Sequence, residues 1–246
     1  MMDFKMDKLR FTSNEPEFDS RRLWISPSQF DEGMVFAKEN KIKNFFIYSG
    51  NDDVKQPMDL DLSWLTEFPE TFYLEIMLTP SKNSNIDALY KMRNLQYLVY
   101  FGYAAKPLNH HHLQSLKSLY TRYDVSQLDG ESAFMHLKNL ERLKLWHIKK
   151  QPDCKFLGEL ASVTQLELTW SKSIECLDGV EQLSELKSIS TNRCAMLKDI
   201  SALLKCEKLK GAWIESSKQL NLDAPATLKA NGVNVGGPPG SAISKI

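Results

Sequence analysis

Histidines, cysteines and carboxylates are the side chains through which this chain could ligate a metal or attack a substrate, and their spacing tests each option. His110, His111 and His112 are consecutive. Neighbours in an extended or turn segment cannot all face one ion, so the triplet is read as one semi-buried and two exposed rings. Cys154, Cys176, Cys194 and Cys206 contain no CxxC pair. They are expected as free, buried thiols, with no metal and no cofactor. None of GxSxG, HExxH, GxGxxG or the phosphate-loop pattern GxxxxGKS/T occurs. Glu75 and Glu167 would need to lie roughly 5–10 Å apart for paired acid–base work. They fall in separate strand-like segments with others between, so no catalytic residue is expected and the chain is read as a non-enzyme.

What must position these groups is a recurring beat. In IDALYKMRNLQYLVY, residues 86–100, the apolar positions are Ile86, Leu89, Met92, Leu95, Leu98 and Tyr100. Steps of three suit a helical turn, whereas the closing LxxLxL sets Leu98 and Tyr100 on one side of a strand. LGELASVTQLEL from Leu157 and FMHLKNLERLKL from Phe134 keep the same intervals. Taking the second apolar residue of each LxxLxL as marker gives Phe45, Leu74, Leu98, Leu119, Leu143, Leu166, Ile189, Ala212 and Val233. The steps are 29, 24, 21, 24, 23, 23, 23 and 21 residues, and the long first step holds the polar stretch NDDVKQPMD, read as a loop.

On these residues the chain resembles the leucine-rich repeat family, and LDGVEQLSELKSIST and DISALLKCEKLKGAWI resemble its short internalin-type repeats. The resemblance implies an α/β fold: a leucine-rich repeat solenoid, curved as a horseshoe, with a parallel β-sheet on the concave face and short helices or turns on the convex face. The family's asparagine-ladder position is occupied here by Gly50, Thr79, Tyr103, Asp124, Ile148, Ser171, Cys194 and Ser217. Thr121 and Thr191 replace leucine in strands, which predicts shallower cores there.

Residues 1–28, with strand-like runs at 8–12 and 22–25, are read as an N-terminal cap, residues 29–236 as the solenoid and residues 237–246, GPPGSAISKI, as a flexible tail. SPSQFDEGMVFAKEN carries Phe30, Met34 and Ala37 at helical intervals and predicts a short helix before IKNFFIY.

Strand alternation assigns the residues flanking each core pair to the open face. Along the first six strands these are Arg22, Trp24, Ser26, Asn44, Phe46, Tyr48, Tyr73, Glu75, Met77, Tyr97, Val99, Phe101, Ser118, Tyr120, Arg122, Arg142, Lys144 and Trp146. Eight of these eighteen are aromatic in a chain that is 10% aromatic, and large apolar groups at solvent positions need a reason. Trp24, Phe46, Tyr48, Tyr73, Tyr97, Phe101, Tyr120 and Trp146 are read as contact anchors, with Arg122, Arg142 and Lys144 guiding encounter. They suit a protein partner with an apolar ridge beside an acidic patch. Two alternatives use the same rings differently: they pack on one another as cross-strand pairs, or they join two copies in a homodimer.

Lys plus Arg equals Asp plus Glu at 31 each, so no global field draws the protein to nucleic acid or an anionic membrane. Single-stranded nucleic acid stacked on these aromatics is the weaker reading, because acidic residues share the face. The N-terminus lacks the apolar run of a secretory signal, and no window reaches about 18 apolar residues, so a cytoplasmic protein without a membrane partner is expected. The reading is a non-catalytic protein-binding module, an adaptor or regulatory subunit, with a toxin-neutralising antidote as the alternative.

Overall fold

A computed structural model describes residues 5–8, 21–49, 57–100, 108–109, 112–124, 134, 136–158, 160–216, 220–239, 241 and 243–245. The chain divides into two compact units, Met1–Leu116 and Lys117–Ile246.

In the first unit, strand β1 (Met6–Lys8) runs antiparallel to β2 (Arg21–Ile25), which pairs in parallel with β3 (Asn44–Tyr48). Two-residue strands β4 (Pro57–Met58) and β6 (Thr79–Pro80) pair beside the main sheet, which continues through β5 (Tyr73–Met77) to β7 (Tyr97–Tyr100). Pro57 thus sits in a short edge pairing, where a missing N–H costs least, and residues 51–56 of the expected loop lie outside the described residues. Of the first expected strand, 8–12, only Lys8 is described. Register stacks like on like: Leu23, Phe45, Leu74 and Leu98 form one core row, and Ile25, Ile47, Ile76 and Tyr100 the next, all buried. Helix α1 (Phe30–Glu39) lies where the apolar spacing placed it, with Asp31 and Glu32 in its first turn and Lys38 in its last, as the helix dipole favours. Phe45 closes the core against Trp64 and Phe68 at 4.9 Å each.

The second unit is all parallel in its main sheet: β8 (Ser118–Asp124), β9 (Arg142–Lys149), β10 (Gln165–Thr169), β11 (Ser188–Cys194), β12 (Gly211–Ser216) and β13 (Asn234–Gly236). Leu119, Leu143, Leu166, Ile189, Ala212 and Val235 form its marker row. The last marker is therefore Val235, not Val233, because helix α2 (Asp223–Ala230) occupies the chain just before it. Ile243, within the segment read as a tail, is buried.

Opposite the strands, the three-residue steps form short 3-10 turns, among them Ser63–Glu67, Asp87–Lys91, Lys155–Leu157 and Ser201–Lys205. A side-chain carboxylate or amide opens them: the backbone N–H groups of Ser63, Lys155 and Ser201 donate to Asp61, Asp153 and Asp199 at 2.9, 3.1 and 2.7 Å, and Asp223 donates to Asn221 at 2.9 Å before α2. Each such bond supplies an acceptor to an N–H that the turn leaves without one. The ladder position also has substitutes for asparagine. The Cys194 thiol donates to the Leu168 carbonyl at 3.5 Å, and Ser171 and Ser173 both donate to the Ile148 carbonyl, at 3.4 and 3.2 Å. The thiols of Cys154, Cys194, Cys176 and Cys206 are free, the first two buried. Burial pushes Cys194 and Cys206 up to about 11. Among the described residues, no helix is long and apolar enough to cross a membrane.

Candidate functional site

In the first unit the open-face side chains are drawn into a cluster. Arg22 lies over the Trp24, Phe46 and Tyr73 rings, with its guanidinium carbon 5.4, 5.0 and 5.6 Å from their centroids. It donates to the Glu75 carboxylate at 2.6 Å, and the Tyr73 hydroxyl donates to the same oxygen at 2.7 Å. Burial, then the Glu75 charge, pushes the Tyr73 phenol far above its ordinary range. Trp24 and Phe46 approach to 4.2 Å between centroids, Tyr48 stacks on Phe46 at 5.9 Å, and Lys5 covers the indole at 3.7 Å. These half-buried rings pack on one another as cross-strand aromatic pairs do. Tyr97 is only 6% exposed, held against Tyr73 and Phe72, so it offers little surface to a partner. Asn44, expected on the open face, is fully buried: its amide donates to the Arg21 carbonyl and accepts from the Tyr73 N–H, both at 3.2 Å. Phe101 lies outside the described residues, as do His110 and His111; His112 is exposed beside the Tyr90 ring.

The second unit keeps more of its face open. Register sets Tyr120 beside Lys144 and Arg122 beside Trp146. Lys144 stands over the Tyr120 ring at 4.5 Å and pairs with Glu167 at 2.7 Å, so the charge expected to guide a partner is compensated on the face itself. Arg142 opens β9 half-buried, level with Ser118 and Gln165. Next along the Lys144 row come Glu167, Ser190 and Trp213. The Trp213 indole is 49% exposed and lies over Gly236, where an added Cβ would stand 3.1 Å from the ring. Glycine there lets the ring lie close against the next strand, and a side chain would require the indole to shift by a few tenths of an ångström.

The strand ends carry a group that alternation does not single out. His147, Trp170 and Arg193 each directly follow a register-matched residue, Trp146, Thr169 and Asn192. All three have left-handed backbones, with φ of 53°, 54° and 54°. His147 meets Trp146 at 4.3 Å and Trp170 at 5.4 Å, and the Arg193 guanidinium lies 4.8 Å from the Trp170 ring. Partial burial lowers the His147 pKa, and the charges of Arg122, Lys149 and Lys172 lower it further. The signal that could have found these residues is their spacing of 23, the repeat length itself.

The arrangement presents rings and cations on a rigid parallel sheet. Among the described residues it brings together no three histidine, cysteine or carboxylate side chains able to hold a metal. No protein-family model matches the sequence, and no curated protein is similar to it in sequence. Solved structures do share the fold. An internalin (inlF) from Listeria monocytogenes is similar with a TM-score of 0.60 at 16% identity over 87% of this chain, which spans 59% of that structure. An internalin C2 (inlC2) from the same organism has a TM-score of 0.51 at 18% identity, with 79% of this chain and 80% of that one covered. The chain therefore has the fold of a leucine-rich repeat solenoid with a parallel sheet.

Proposed function

We propose that this leucine-rich repeat solenoid is a non-catalytic protein-binding module, acting as an adaptor or regulatory subunit through the open face of its sheet. The observation that carries this reading is the exposed indole on the open face of the second unit, Trp213 at 49%, with a second indole, Trp170 at 40%, just past the end of β10. An exposed tryptophan held on a strand buries much area on contact at low conformational cost, the property of interface anchors. Trp213 borders small polar residues of the preceding strand, Ser188 and Ser190, which leave its edge accessible.

Tyr120, Arg122, Arg142, Lys144 and Trp146 extend this surface across two strands, and Trp24, Phe46 and Tyr48 provide a second, more self-packed patch in the first unit. The test is quantitative capture from native extract with wild type, Tyr120→Ala/Trp213→Ala, and Leu204→Ala, an exposed leucine in the Ser201–Lys205 turn. A partner lost with the face variant and kept with Leu204→Ala supports the reading. Equal capture by all three overturns it.

A further inference from the structure

We propose that the His147–Trp170–Arg193 rim of the second unit docks an acidic segment of a protein partner, a segment that also carries an apolar side chain. The proposal rests on the protein-binding reading above and names the chemistry that one edge of the surface selects.

Backbone conformation supplies the first argument. A turn that demands φ near +54° at the same step of successive repeats suits Gly or Asn, whereas a larger side chain there is strained. The chain places His, Trp and Arg at the three consecutive positions. All three share one backbone geometry, and their side chains meet in a row: His147 stands edge-on to the Trp170 ring and the Arg193 guanidinium lies over it. The ring at its centre remains 40% exposed.

Charge supplies the second. Lys149, Lys172 and Arg193 are exposed around this row, and Arg122 acts on His147 from the neighbouring strand. Among the described residues no acidic side chain pairs with Lys172 or Arg193. Glu167, the carboxylate of the adjoining strand, is engaged by Lys144, and Glu215, opposite the irregular register near Arg193, ends the row. A positive row with an indole at its centre is complementary to carboxylates that flank an apolar residue. A peptide fits better than nucleic acid, because Glu167 and Glu215 border the row and would repel a continuous phosphate backbone.

The test uses a fluorescein-labelled peptide alternating Asp and Glu with Phe, its Asn/Gln isostere, and oligothymidylate, titrated onto the full chain. The acidic peptide should bind, weaken as salt rises, and lose about tenfold or more in affinity with Lys172→Glu/Arg193→Glu and with Trp170→Ala. These side chains are solvent-facing, and an unchanged melting temperature separates lost binding from lost folding. Equal binding of the isostere, no binding of the acidic peptide, or tighter binding of oligothymidylate each overturns the proposal. In the capture experiment, a partner lost with Tyr120→Ala/Trp213→Ala but retained by the charge-reversed rim overturns the rim alone and leaves the open-face reading standing.

Discussion

Arg22 and Glu75 stand on strands separated by β3, yet their side chains meet across it at 2.6 Å, each about one-seventh exposed. The pair is shielded by the Trp24, Phe46 and Tyr73 rings, so removing one charge strands the other among apolar groups. Glu75→Gln should cost about 1–3 kcal/mol in urea unfolding. It should also bring the Tyr73 phenol down in a spectrophotometric alkaline titration, since the Glu75 charge helps hold it up. The sign follows from linkage: a phenol with a raised native pKa contributes stability that is lost as pH climbs above the unfolded value near 10. A variant as stable as wild type, with an unmoved phenol, would count against the coupling.

His147 gives the opposite dependence. Its native pKa is lowered, by burial first and then by Arg122, Lys149 and Lys172, so the unfolded chain binds the proton more readily. Its contribution to stability is complete above about pH 6.5 and declines as pH falls through the window down to the lowered native value. Comparing unfolding at neutral and mildly acidic pH, His147→Asn, which tolerates the left-handed backbone, should lose less stability than wild type. Identical pH slopes would show that the imidazole titrates freely.

Thr191 occupies a core position between Leu168 and Ile214, fully buried, and among the described residues its hydroxyl has no hydrogen-bond partner. An unsatisfied hydroxyl in that setting costs more than a methyl of the same shape. Thr191→Val should stabilise by about 1 kcal/mol, raising the melting temperature by about 2–4 °C. Calorimetry showing a lower melting temperature would mean that the hydroxyl is satisfied in solution.

Gly179 opens a 3-10 turn with φ of 102°, and an added Cβ would stand 2.5 Å from the Lys155 backbone. Both the dihedral and the space exclude a side chain, so Gly179→Ala should cost at least about 2 kcal/mol. The exposed Gly232, also left-handed but with open space around it, provides a milder comparison. Similar losses at the two sites in chemical denaturation would remove the steric argument.

The core was legible in the sequence because most strands repeat an apolar pair spaced by two, so the rows from Leu23 and Leu119 follow from period two and repeat length, with Thr121 and Thr191 as exceptions. Val235 was missed for Val233 because a slip of two keeps the same face, so alternation cannot choose between them. The open face was legible as positions but not as surface. Asn44 and Tyr97 are outward by alternation yet buried by their neighbours, which depends on cross-strand packing that no single segment displays. The rim escaped for a different reason: His147, Trp170 and Arg193 lie just past the alternating stretches, and their orientation comes from a dihedral rather than from a pattern of polarity.

The matched register from β9 to β11, with its 23-residue step, has a practical corollary. Each step is a graduation on a ruler, carrying one core pair, one face row and one left-handed rung. Duplicating a single graduation would insert another rung without redesigning any turn, so the reach of this edge becomes a quantity an engineer can set by counting.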